Sequence, residues 1–549
     1  MLTIYLLVVS LFGGVALSTS DGTVCYTPAR PISLDYGTFV GSYNDSSGII
    51  AYRGVPYADP PVGDLRWREP VTPPTSQLGT VNAFEFGPQC IATKRANASI
   101  PITQSEDCLH GNIYVPSWTN ATNLPVLVYY HGGGFQSGSS RTAPPEWLMA
   151  SSKMPFIFVT FNYRLGQFGF LGGAALGADG VANAGLFDQR ASLKWVQRYI
   201  SSFGGDPSRV TIWGQSAGSA MVMLQLIANG GDNEGLFSQA MGDSPALSSM
   251  PRYNDTVPDE VFRRFASLAG CEVLSPSANT DLMPCLRNAS VEALIYAGNA
   301  TAIAYSGLTI FRFTPLVDGK LIIERPVEAF RSGNFVKVPM FFGSNTHEGK
   351  GWAERLTDPI GNTTRTGADA YTVYSFINGQ YGGFTTSTFL NATALYPPVS
   401  KGGVNSSYNL LAQEMYGDMR FICTAGLITG SAAQHNITSY QYHYDNPWLG
   451  DMHHYELQAM FSTEETDTYQ RMEDTSLFED MRLYWTSFAT QGKPLGSDTR
   501  NVNWLPSQDV SGGPRLLLNP TRVMMEDIDA ESLGRRCTMW HNQHEELST

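Results

Sequence analysis

The pentapeptide Gly214-Gln215-Ser216-Ala217-Gly218 constrains this chain more than any other feature. It follows the apolar run Val210-Thr211-Ile212-Trp213 and opens the apolar stretch 219–228. Strand, sharp turn and helix is the context in which a G-x-S-x-G pattern pushes a serine hydroxyl out above a sheet. The flanking positions are small because so tight a turn leaves no room for bulk. The helix N-terminus beneath the serine favours negative charge building up nearby. The bare pattern is weak: with 54 glycines in 549 residues, about half an occurrence arises by chance. A glycine-rich turn with an ordinary serine fits it equally well, so the surroundings of the motif have to decide.

Continuous apolar or β-rich runs at 124–130, 156–162, 210–213, 338–343 and 439–444 predict strands buried on both faces. Helical patterns lie between several of them, at 186–202, 217–228 and 476–491. In the last, Phe478, Met481, Trp485 and Phe488 form a stripe at helical spacing, which reads as core. Strands alternating with helices predict an α/β fold, a large and mostly parallel central sheet covered by helices. Segments 244–308 and 349–420 carry less pattern and read as peripheral helical insertions. No linker rich in proline or serine divides the chain, so residues 21–549 are expected to form a single domain.

Ser216 as a nucleophile requires a base, an acid to orient it and donors for an oxyanion. His131-Gly132-Gly133-Gly134-Phe135 follows the predicted strand 124–130, and its unshielded backbone N–H groups suit the donor role. Glu348 follows the predicted strand 338–343, where open α/β sheets gather catalytic groups. His453 and His454 follow the predicted strand 439–444. Either histidine alone reads equally well as a solvated or core imidazole. The chain order Ser, Glu, His is that of hydrolases built on the G-x-S-x-G turn.

A net charge of −14 argues against nucleic acid and anionic membrane surfaces as partners. Residues 1–20 are apolar and end in small residues, as a secretory signal peptide does, and are too short in their apolar core for a stable membrane anchor. A secreted, extracellular protein is therefore expected. Sequons at Asn44, Asn97, Asn120, Asn254, Asn288, Asn299, Asn362, Asn391, Asn405 and Asn436 fit that route, and each used site should lie on the surface. Seven cysteines without a C-x-x-C pair suit disulfides better than a metal site. With Cys25 beside the expected cleavage point, the other six allow fifteen pairings. No cofactor or metal is expected, and the oligomeric state stays open.

Longer motifs carry a resemblance. Residues 52–61 (YRGVPYADPP) with Leu65-Arg66-Trp67, Ser105-Glu106-Asp107-Cys108-Leu109, Asn162-Tyr163-Arg164 with Gly169-Phe170-Leu171, residues 183–190 (NAGLFDQR), residues 203–207 (FGGDP) and residues 484–489 (YWTSFA) together resemble the type-B carboxylesterase/lipase family of α/β-hydrolases, from about Tyr36 to Cys537. The resemblance implies the α/β-hydrolase fold. It implies Ser216 as nucleophile, Glu348 as acid, His453 as base, and an oxyanion hole from the N–H groups of Gly133, Gly134 and Ala217. His453 is preferred because His453-His454-Tyr455-Glu456 matches the family's His-Gly-x-Glu, with His454 at the glycine. It also implies disulfides Cys90–Cys108, Cys271–Cys285 and Cys423–Cys537, leaving Cys25 odd, and buried ion pairs Arg66–Glu106 and Arg164–Asp188. The chain departs from the family at Gln215, at His110-Gly111, at Asp243-Ser244-Pro245 and at His454. Such departures near or behind the site would reshape the acyl pocket without removing a catalytic group.

The partner expected is a small-molecule ester. In the family's lipases the loop between the first two cysteines is a long amphipathic flap. Here it has seventeen residues, with Lys94, Arg95 and the sequon Asn97, and only Ile91, Ile100 and Ile102 as bulky apolar residues. So short and polar a loop favours an esterase acting on short-chain or aryl, feruloyl-type esters over an interfacially activated triacylglycerol lipase or sterol esterase. It lacks the tryptophan with which cholinesterases bind a cation, which argues against choline esters. A non-catalytic recognition protein, as some animal members are, is disfavoured because such members typically lose the nucleophile.

Overall fold

The strand Leu124–Tyr130 is buried along its whole length. Val126, Val128 and Tyr130 enter the core on one face of the sheet, and Leu127 and Tyr129 enter the core on the other. A pleated strand with both faces covered needs just such an unbroken apolar run. The computed structural model describes residues 27–93, 103–271, 282–397, 407–461, 472–497 and 502–549. Within them Ile157–Phe161, Leu124–Tyr130, Gly205–Gln215, Gln239–Asp243, Met340–Asn345, Ser439–Tyr444 and Gly513–Asn519 stand side by side, each parallel to its neighbour. Antiparallel strands Thr27–Leu34, Gly37–Asn44, Ile49–Pro56 and His110–Pro116 extend one edge. Arg522–Ile528 turns back on the other. This is the α/β-hydrolase arrangement.

Helices close both faces. Ala184–Tyr199 and the wholly buried Ala217–Ile227 pack on one. Met472–Gln491 packs on the other, where Phe478, Met481, Trp485 and Phe488 meet Tyr129, Trp213 and Phe341, so the stripe is core. The segments read as peripheral are largely helical, with Thr256–Leu268, Leu282–Asn288 and Val291–Tyr305 in the first and Ala370–Tyr381, Thr386–Thr393 and Ser407–Gly417 in the second.

Several boundaries differ from expectation. The strand expected from 338 begins at Met340, just past Pro339, and runs on through the polar Ser344 and Asn345. The helix expected to 202 ends at Tyr199 and tightens into Ile200–Phe203. The outermost antiparallel strand escaped sequence reading because it is largely exposed: in Thr27–Leu34 the sole buried side chain is Ile32.

The three implied disulfides are present. Both ion pairs form as bidentate contacts, Arg66 to Glu106 at 2.7 Å twice and Arg164 to Asp188 at 2.6 and 2.8 Å. Arg66 also donates to the carbonyls of Arg287 and Ala289, at the C-terminal end of the helix Leu282–Asn288. Among the sequons, Asn44, Asn120, Asn254, Asn288, Asn391 and Asn436 are exposed and Asn362 is half-buried. Asn299 is a correction: it is 3% exposed, on the core-facing side of Val291–Tyr305 with Ile295 and Ala302, where a glycan has no room. Asn97, Asn405, Cys25, residues 1–20 and the Lys94–Ile102 part of the Cys90–Cys108 loop lie outside the described residues.

Candidate active site

Five adjacent parallel strands carry the site at their C-terminal ends. Leu124–Tyr130 leads into the glycine loop, Gly205–Gln215 into Ser216, Gln239–Asp243 into Ser244, Met340–Asn345 towards Glu348, and Ser439–Tyr444 towards His453. Chain order scatters these residues over more than three hundred positions; parallel pairing collects them along one edge.

The turn at Ser216 is as tight as the pattern demands. A Cβ on Gly218 would stand 2.1 Å from the Tyr130 carbonyl oxygen, and one on Gly214 would stand 2.4 Å from the Gly218 carbonyl carbon. Ser216 itself has φ 57° and ψ −122°, a strained conformation for a residue with a side chain. Its N–H donates to the Asp243 carbonyl at 2.9 Å, so the neighbouring strand holds the turn. Its Oγ lies 2.7 Å from His453 Nε2, and His453 Nδ1 lies 2.6 Å from Glu348 Oε2. Glu348 is fully buried, and its other oxygen accepts from Ser244 Oγ at 2.5 Å and from the Asn345 N–H at 2.7 Å. Three donors thus fix the carboxylate, which fixes the imidazole in the tautomer that donates from Nδ1. His454 forms no hydrogen bond with Ser216, His453 or Glu348. It has φ 71°, which explains why the family places glycine there.

The loop after Leu124–Tyr130 brings Gly133 beside this centre. It has φ 116°, and a Cβ there would stand 2.1 Å from the Ser137 carbonyl oxygen. The N–H groups of Gly133, Gly134 and Ala217 meet no acceptor among the described residues, and that of Ala217 is the first of a helix. His131 is structural. Its ring stacks on Tyr163 at 4.5 Å and burial drives its pKa down to about 4.

Sequence reasoning missed several groups around the triad. Ser244 belongs to a tripeptide noted only as a departure, and nothing local indicated its contact with Glu348. Asp243 accepts from Trp213 Nε1 at 2.7 Å, Tyr442 Oη at 3.0 Å and Trp485 Nε1 at 3.2 Å. Burial outweighs those bonds and pushes its pKa up to about 7. Burial, then the nearby Glu348 and Asp243 charges, also raise Glu456 well above the carboxylate range. A single π-helical turn, Asp418–Ile422, carries Phe421, whose ring centroid is 4.3 Å from that of His453. The Trp352 ring lies 5.4 Å from that of His453 and 6.1 Å from that of Phe421. Of the departures, Gln215 lies against Gly132 and Asp243-Ser244 backs the triad. His110-Gly111 instead packs on Gly87 and Phe161, in the strand His110–Pro116.

A cavity of about 930 Å³ lies next to the glycine loop, with none of Ser216, Glu348, His453 and Gly134 in its lining. Phe311 lines it and presses on the glycine loop so closely that a Cβ on Gly134 would stand 2.0 Å from Phe311 Cε1. No group of side chains among the described residues is arranged to hold a metal, and no helix among them is long and apolar enough to cross a membrane.

Comparison with known proteins gives a consistent set of relatives. The family model of carboxylesterases matches residues 28–533. Lipase 2 of Geotrichum candidum is 37% identical over 342 residues, which span 56% of this chain and 60% of that relative's length. The secreted triacylglycerol lipase LIP1 of Gibberella zeae is 31% identical over 519 residues, 86% of this chain and 84% of the relative. Among solved structures, Aspergillus niger EstA superposes with a TM-score of 0.81 at 29% identity, over 94% of this chain and 99% of that one.

Proposed function

The chain belongs to the carboxylesterase family, and on that premise we propose that it hydrolyses carboxylic esters through an acyl-enzyme formed on Ser216. The supporting observation is the unbroken hydrogen-bonded line from Ser216 Oγ to His453 at 2.7 Å and from His453 to Glu348 at 2.6 Å. Ser216 Oγ attacks the ester carbonyl carbon while His453 Nε2 takes its proton. Glu348 stabilises the resulting imidazolium. The N–H groups of Gly133, Gly134 and Ala217 receive the oxyanion. Collapse expels the alcohol, which takes the proton from His453. Water, deprotonated by the same imidazole, then releases the acid and restores Ser216. An extracellular location is part of the reading, supported by three disulfides and by sequons that are mostly exposed.

The substrates proposed first are short-chain or aryl, feruloyl-type esters. The adjoining cavity has aromatic walls, Phe311, Phe313, Tyr305, Tyr374 and Tyr381, suited to a planar acid. A second reading, a lipase, draws support from the exposed apolar rim of the same cavity, Val257, Leu308, Ile360 and Tyr371. A rate panel of methyl ferulate, p-nitrophenyl butyrate, tributyrin and triolein separates them. The esterase reading expects the first two or three to be cleaved fastest, with no jump in rate at the solubility limit of tributyrin. Triolein cleaved fastest, with such a jump, would establish the lipase instead. No hydrolysis of any ester would contradict both.

A further inference from the structure

Two arginines line the large cavity that meets the glycine loop at Phe311, without acidic partners. Arg420 is 4% exposed, precedes the Phe421 that packs on His453, and has its Nε buried with no acceptor. One of its N–H groups reaches the Leu247 carbonyl at 3.4 Å, and its guanidinium lies 5.4 Å from the Phe311 ring centroid. Arg312 follows Phe311 directly. Its N–H and that of Phe313 both donate to Gln136 Oε1 at 3.2 Å, which ties this wall of the cavity to the glycine loop. The Arg312 Nε is likewise buried and unpartnered, and burial lowers its pKa. No carboxylate among the described residues forms an ion pair with either arginine. The acids that line the cavity already accept hydrogen bonds: Asp255 from the Arg252 N–H at 2.8 Å, Asp358 from the Ile360 N–H at 2.9 Å, and Glu546 from the Thr385 N–H at 2.5 Å and Thr388 at 2.7 Å.

Burying a guanidinium is costly unless an anion or a full set of acceptors compensates it. A chain with a net charge of −14 has acids to spare, yet none is set against these two. We propose that the cavity is a carboxylate subsite, and that the preferred esters bear a free carboxylate at the end remote from the reacting carbonyl, as hemiesters of dicarboxylic acids do. This rests on the esterase reading above and narrows its substrate class. The planar guanidinium of Arg420 is held among the rings of Phe311, Tyr416 and Phe421, and a carboxylate in the cavity would compensate its charge. Arg312 adds a second positive charge on the same wall. The acidic surface opposes such a substrate only weakly, since exposed charges are screened beyond about 8 Å at physiological salt.

The test compares mono-p-nitrophenyl esters of dicarboxylic acids, from succinate to suberate, with neutral p-nitrophenyl esters of the same carbon number. At least one hemiester should exceed its neutral counterpart about tenfold in kcat/KM. Arg420→Gln and Arg312→Gln should each reduce that ratio about tenfold, chiefly through KM, while Arg420→Lys should retain most of it. If Arg420→Gln fails to fold, inhibition of the unaltered enzyme by free dicarboxylates serves in its place. Dicarboxylates should then compete more strongly than the monocarboxylates of equal length. Hemiesters slower than neutral esters at every length, or a ratio unmoved in both glutamine variants, would overturn the subsite while leaving the esterase reading standing. Absence of hydrolysis in both series would overturn the esterase reading and the subsite with it.

Discussion

Adjacent histidines at the end of one loop make different contacts. His453 bridges Ser216 and Glu348 through its two ring nitrogens. His454 occupies the left-handed region with φ 71°, and its pKa is lowered by burial first and by His453 second. His453→Ala should reduce kcat on p-nitrophenyl butyrate by about 10⁴-fold or more, since nucleophile and base act as one unit. His454→Gly should keep most of the activity and hold or raise the melting temperature, because glycine adopts this backbone without strain. Reversal of the two outcomes would assign the base to the wrong ring.

At the scale of elements, the end of the strand Gln239–Asp243 supports the site from behind. Ser216 leans on the Asp243 carbonyl, and Ser244 holds Glu348. The folded-state pKa of Asp243 is raised to about 7, against about 3.9 when unfolded. The folded protein therefore binds more protons than the unfolded chain between these values. The contribution of Asp243 to stability is complete below about pH 4 and is lost as pH rises through 7. Asp243→Asn removes this titration, so its melting temperature relative to the unaltered protein should rise by several degrees from pH 4 to pH 8, in paired thermal scans. A difference that stays constant with pH would mean that Asp243 does not titrate there. The same strand marks the limit of sequence reading. Ser216, Glu348, the pair His453-His454 and the glycine loop stood out because each follows a continuous apolar run, and a buried parallel strand writes such a run into the chain; the choice between the two histidines came from the family resemblance. Asp243, Ser244, Arg420 and Phe421 were not, since their roles come from what lies beside them in space. Phe421 meets His453 only through the π turn Asp418–Ile422, which no local pattern announces. Asn299 shows the reverse failure, a complete local motif on the buried side of a helix.

For the whole molecule, the bond Cys423–Cys537 ties the helix after the π turn to the helix Arg535–Asn542 across 114 residues. It anchors the segment that carries Arg420 and Phe421. In the chain-entropy picture a loop of that length restricts the unfolded chain by about 4–5 kcal/mol, more than a loop of some 15 residues at about 3 kcal/mol. Replacing both cysteines by serine should thus lower stability more than the same change at Cys271 and Cys285, as read from denaturant midpoints. The opposite ranking would place the main constraint elsewhere.

The central claim is that Ser216 forms the acyl-enzyme, and covalent labelling tests it most directly. A p-nitrophenyl alkylphosphonate should inactivate the protein with release of one equivalent of p-nitrophenol, and peptide mapping should find the phosphonyl group on Ser216. Loss of hydrolytic activity should run parallel to labelling, and Ser216→Ala should release no burst. Label on another residue, or full activity in protein labelled at Ser216, would contradict the mechanism.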